Sequence, residues 1–120
     1  MSTWKNFDID EFACSHCGKN EIDPKVIDLA QKIRDQFGKP MAVTSGYRCP
    51  DHPAEKSKMQ PGTHARGIAV DVAVSHKDAR ELTRIILDLD VGGVGINQKG
   101  SGRFVHFDLD PTRRQLFWTY

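Results

Sequence analysis

The chain has 120 residues, from which one domain with one core is expected, without a separate targeting or wall-binding module. Its 38% hydrophobic and 28% charged residues describe a soluble globular protein, and no window approaches the roughly 18 uninterrupted apolar residues of a membrane span. The 17 Lys and Arg are scattered among 16 Asp and Glu for a net charge of +1, without the basic stripe that a nucleic-acid backbone requires.

The N-terminal MSTWKNFDIDEF has no apolar h-region, so synthesis in the cytoplasm without a signal peptide is expected. Residues 23 to 38 carry the punctuation of a helix: Asp23 as N-cap, Pro24 at the first helical position and Gly38 as the stop before Pro40. Val26, Ile27, Ala30, Ile33 and Phe37 recur on one stripe of it. A strand is expected over 41–45. From Cys49 to Gly62 the chain has several prolines and no periodicity, and reads as a long loop of the kind that often carries function. A second strand follows over 68–74. A second helix is expected from Ser75 to about Asp90, with Ser75 and Asp78 resembling a capping box and Ala79, Leu82, Ile85, Ile86 and Leu89 as its buried face. Strands over 93–97 and 103–109 flank QKGSG, a stretch suited to a hairpin loop. These elements make one α+β domain over 1–120, a small, largely antiparallel sheet packed with two main helices.

Alternation along IAVDVAV puts Ile68, Val70 and Val72 on one strand face and Ala69, Asp71 and Ala73 on the other. Asp71 therefore stands between two small side chains, with space above it. The same rule groups Phe104, His106 and Asp108 on the last strand. With His64 on the loop entering IAVDVAV, the sequence offers a mixed nitrogen and oxygen ligand set. Two histidines and one carboxylate, with a fourth position left to water, is the composition of a catalytic zinc site, whereas structural zinc sites are usually closed by four ligands and rich in cysteine. Taken singly, His64 reads equally as a surface-loop histidine, Asp71 as a strand-end carboxylate and His106 as a hydrogen-bonded core histidine.

In chain order, SGYR at 45–48, H-x-x-G-x-A-x-D from His64 to Asp71, GVGI at 93–96 and FVHFD at 104–108 resemble the zinc D-Ala-D-Ala carboxypeptidase family. The likeness is to its short single-domain branch, found in bacteriophage lysis proteins and bacterial wall hydrolases, and runs from DEFACSHCG to the closing RRQLFW. The resemblance implies a Hedgehog/DD-peptidase-like fold and a Zn2+-dependent peptidase acting on peptidoglycan peptides, with His64, Asp71 and His106 as zinc ligands and Arg48 facing substrate. It also implies action at the cell wall after release at phage lysis, and the chain is expected to work as a monomer. Two positions depart from the family pattern. An acidic residue usually stands three positions before the last histidine ligand, where this chain has Arg103, a permanent cation that cannot serve as a base. The position before Thr63, often serine in relatives, is Gly62. Asp108, on the strand face of His106, is the expected substitute base, and the alternative is a partner that orients His106 through its other ring nitrogen. If no carboxylate substitutes, the domain binds zinc and recognises wall peptides or a protein partner without hydrolysis.

The three cysteines are an odd number, poorly suited to a closed disulfide framework. CSHC at 14–17 and CPDH at 49–52 have the spacing of a structural zinc site built from Cys14, Cys17, Cys49 and His52; free or redox-paired thiols are the alternative.

Overall fold

The computed structural model describes residues 4–113 and 116–120. Met1 to Thr3 of the N-terminal segment and Arg114 and Gln115 of the closing RRQLFW thus lie outside it. A short 3-10 turn at Ile9–Phe12 precedes helix α1, Pro24–Phe37. Asp23 caps α1 by accepting from the Lys25 N–H, and Gly38, at φ 72°, closes it in the left-handed region. Strand β1 is Ala42–Ser45, a one-turn helix α2 is Pro53–Lys56, and strand β2 is Ala69–Ala73. Helix α3, His76–Leu87, is followed by strands β3, Gly93–Asn97, and β4, Phe104–Asp108, and the chain ends on β5, Leu116–Thr119. Among the described residues no helix is long and apolar enough to cross a membrane.

The five strands form one sheet in the order β1-β2-β4-β3-β5, antiparallel except for the parallel β3–β5 edge. Both main helices pack on one of its faces. Val26, Ile27, Ala30, Ile33 and Phe37 of α1 and Leu82, Ile85 and Ile86 of α3 join Val70, Val72, Val94, Val105 and Phe107 of the sheet in a single core. The expected stripe of α3 differs at its end. Leu89 lies beyond Leu87, where the helix stops, and is only half-buried.

The Ser75 and Asp78 capping box does not form: the Ser75 side chain makes no cap hydrogen bond. His76, at φ 57°, turns the first helical residue into the left-handed region, and Asp78 is drawn instead to Lys39 Nζ at 2.8 Å. The stretch read as a loop over 49–62 holds α2, with His52 as its N-cap and Pro53 at its first position. Strand β5 was not expected. It adds an exposed edge strand through the pairs Gly95↔Trp118 and Gly93↔Leu116.

Opposite the helices, one rung of paired residues crosses the whole sheet: Ser45↔Asp71, Asp71↔His106, His106↔Gly95 and Gly95↔Trp118. Paired residues on adjacent strands project to the same face. A serine, a carboxylate, an imidazole and an indole are thus brought together by register alone, with a glycine making room between the last two.

Candidate metal centre

Above that rung opens a cleft of about 410 Å³, lined among others by Arg48, His64, Asp71, His106, Trp118 and Tyr120. His64 reaches it from the turn before β2. Gly67 shapes that turn, at φ 72° and packed so close to the Glu21 backbone that a side chain would collide with it. The accompanying Asp23 N–H to Gly67 O bond of 2.7 Å ties the turn to the start of α1.

Among the described residues, one ligand atom each from His64, Asp71 and His106 gather within 4.8 Å of one another, and all three residues are buried. Their partners fix which atoms face inward. His64 Nδ1 lies 2.8 Å from the Gly46 carbonyl, which can only accept, so Nδ1 carries the proton and Nε2 points to Asp71 Oδ1 at 3.2 Å. His106 is oriented the other way round: Nε2 donates to Asp108 Oδ2 at 2.7 Å, leaving Nδ1 to face the same Asp71 Oδ1 at 2.9 Å. When both rings are neutral, two nitrogen lone pairs and a carboxylate oxygen converge on one small volume. Such a cluster needs a cation, either a shared proton or a metal.

The ionisation of these groups reflects this. Burial alone would raise the Asp71 pKa, but hydrogen bonds from His106 and His64 outweigh it and hold the carboxyl below the usual range. Burial would likewise lower His106, yet Asp108 and Asp71 raise it.

Arg48 closes the cleft wall. Its Nε donates to Ser45 Oγ at 3.0 Å, one terminal nitrogen lies 3.4 Å from Glu55 Oε2 and the other 3.5 Å from Asp71 Oδ2. Glu55 is the buried anchor of this wall, since it also accepts from Lys58 Nζ at 2.9 Å and from the Gly62 N–H at 3.2 Å. Burial opposes ionisation of Glu55, but Lys58, the Gly62 N–H and Arg48 together keep its pKa low. Gly62 thereby presents its backbone to Glu55.

Asp108 lies behind His106, bonded to its Nε2. It is fully buried, and besides holding His106 it accepts from the N–H groups of Gly93 at 2.8 Å and Asp110 at 3.0 Å. These bonds favour the other reading of the same residue, the partner that fixes the His106 ring. Arg103 lies off the cleft altogether. An odd offset from His106 sends it to the helix side of the hairpin, where Nε donates to Gly100 O at 2.9 Å.

Trp118 and Tyr120 were missed with β5. Trp118 lies against His106 with ring centroids 5.2 Å apart, and Tyr120 against Phe104 at 5.0 Å. The aromatic run LFWTY was the available signal.

Cys14, Cys17 and Cys49 form the second gathering, again with ligand atoms within 4.8 Å. His52 is not among them. Its Nδ1 accepts from the Ala54 N–H at 3.0 Å as the cap of α2, which puts the proton of the neutral ring on Nε2 and leaves no lone pair for a metal.

A family model described as Peptidase M15 matches residues 5–108. No curated protein and no solved structure gives a match.

Proposed function

The chain belongs to the peptidase M15 family, of the zinc D-Ala-D-Ala carboxypeptidase type, and we propose that it is a zinc-dependent peptidase that cuts peptidoglycan stem peptides as a carboxypeptidase or endopeptidase. The observation that carries this reading is the convergence of His64 Nε2, His106 Nδ1 and an Asp71 oxygen at the floor of an open cleft.

These three residues would hold the ion. Zinc in such a three-ligand site supplies an activated water at neutral pH and Lewis-acid polarisation of the scissile carbonyl. The chain's own residues do the rest. Asp108 and the Gly46 carbonyl keep the two imidazoles in the tautomers that present a lone pair to the cleft. Arg48, held flat between Ser45 and Glu55, offers a planar donor fork at the cleft wall, suited to a peptide carboxylate or to negative charge developing on the carbonyl oxygen. Trp118 and Tyr120 supply an aromatic rim that narrows access to solvent. Delivery to the wall at phage lysis, through a partner pore, suits a chain of this type, working as a monomer on wall peptides and not on nucleic acid.

One observation favours a second reading, a zinc-binding domain that recognises wall peptides without cutting them. Among the described residues lining the cleft, the only carboxylate side chain is that of Asp71 itself. Incubating zinc-loaded protein with purified peptidoglycan separates the two. The peptidase reading expects new amino termini or released D-Ala, abolished by chelator and restored by zinc. Zinc-dependent binding of the wall fragments without products would establish the silent reading instead.

A further inference from the structure

The cysteine cluster lies outside the cleft and plays no part in the proposed peptidase chemistry. Cys14 and Cys17 sit on a tight turn closed by Gly18 N–H to Cys14 O and Cys14 N–H to Lys19 O, both 2.8 Å, with Gly18 at φ 78°. Cys49 comes from the loop after β1, immediately following Arg48. Cys14 and Cys49 are buried, and Cys17 is exposed.

The backbone also reaches into the cluster. The Cys49 N–H points at Cys14 Sγ from 3.3 Å. Backbone donors of this kind stabilise a thiolate, the form that binds metal. A disulfide would use two of the sulfurs and strand the third within the cluster. A thiophilic divalent cation uses all three.

We propose that Cys14, Cys17 and Cys49 form a structural zinc site, distinct from the His64–Asp71–His106 centre, that clamps the N-terminal turn to the loop carrying Arg48. Three thiolates supply three of the four tetrahedral positions, and the exposure of Cys17 gives solvent access to the fourth. Binding displaces the thiol protons into solvent. The clamp spans a seam that Tyr47 also bridges, through its N–H to Phe12 O at 2.8 Å and its hydroxyl to Glu21 Oε2 at 3.1 Å. It fixes the backbone on which the Arg48 fork is mounted.

The test uses the full chain, reduced, stripped with chelator and titrated with cobalt(II) in the absence of air. Thiolate-to-cobalt charge-transfer absorption should rise to one equivalent in the wild type and in His106→Ala, which disables the other centre. It should vanish in Cys17→Ser, whose exposed position spares the fold. Zinc should displace the cobalt, protect the thiols from alkylation and slow exchange of the Tyr47 amide. Absence of the charge-transfer band, equal alkylation rates with and without zinc, or a Cys14–Cys49 disulfide recovered from metal-loaded protein would overturn the proposal. Because the band is read in His106→Ala, its presence or absence is independent of whether the peptidase reading stands.

Discussion

Asp108 is the residue whose substitution separates positioning from catalysis. Asn at this site keeps the volume but must turn its NH2 either to the Gly93 and Asp110 N–H groups, leaving a weaker acceptor for His106 Nε2, or to His106 Nε2–H itself. Asp108→Asn should therefore weaken zinc binding by about 10- to 100-fold while turnover at saturating zinc stays near normal. Chelator competition and kcat measured over a zinc series check this, and a collapse of kcat at full occupancy would return Asp108 to the role of base. Arg48 acts from the other side of Asp71. Arg48→Lys retains charge but cannot reach Ser45, Glu55 and Asp71 together, so kcat/KM on wall peptide should fall by about 10²-fold, as for loss of a donor aimed at developing charge. Lys58 remains on Glu55, so the melting temperature should hardly move. The Asp110 carboxylate bears on stability. Burial would raise its pKa, but the Thr112 hydroxyl and N–H and the Arg66 guanidinium bring it down to about 2. A folded pKa below the unfolded one means that the unfolded chain takes up the proton first on acidification. The stabilisation is complete above about pH 5 and is lost as pH falls toward about 2. Asp110→Asn should lower stability at neutral pH and flatten the acid limb of a urea-denaturation series.

Strand β5 shows how an element enters the site through what its neighbour lacks. A Cβ on Gly95 would sit 2.6 Å from the Trp118 indole, so the bare backbone of β3 is what lets that ring lie over His106. Gly95→Ala should cost roughly 1 to 3 kcal/mol through overpacking and weaken the near-ultraviolet circular dichroism of the indole. In Gly95→Ala combined with Trp118→Ala the clash has no partner, and the double variant should be less destabilised than the sum of the two single ones. The sequence pattern could not reveal this edge. Its four residues are largely exposed, show no alternation and pair in parallel with a strand about twenty residues earlier in the chain. Helix α2 is hidden for a related reason: a single turn is too short for periodicity, and only His52 before Pro53 marks its start. By contrast α1 announces both ends through Asp23, Pro24 and Gly38, and strands β2 and β4 announce their faces through alternation. That alternation also placed Asp71 and His106 on site-facing positions. What it could not decide was the orientation of a ring: Asp108 shares a face with His106 in either role, and only the Gly93 and Asp110 N–H groups, brought in by folding, show that its oxygens face inward.

At the scale of the whole molecule, the centre exists only when the fold does. His64 comes from a turn, Asp71 from β2 and His106 from β4, and their convergence requires the β2–β4 register as well as the packing of the turn on the start of α1. The unfolded chain holds no such arrangement, so zinc bound there would stabilise by mass action on the native state. The measurement is cleanest in Cys17→Ser, where the thiol cluster does not contribute. At free zinc a thousandfold above Kd the gain should be about 4 kcal/mol, or roughly 12 to 20 °C in Tm for a chain of this size. Chelator should reverse it, and adding Asp71→Ala should abolish the response while the protein remains folded, because removing the carboxylate leaves only the two imidazoles. A zinc-induced rise of equal size in that double variant would mean that the metal binds elsewhere, and the His64–Asp71–His106 assignment would have to be withdrawn.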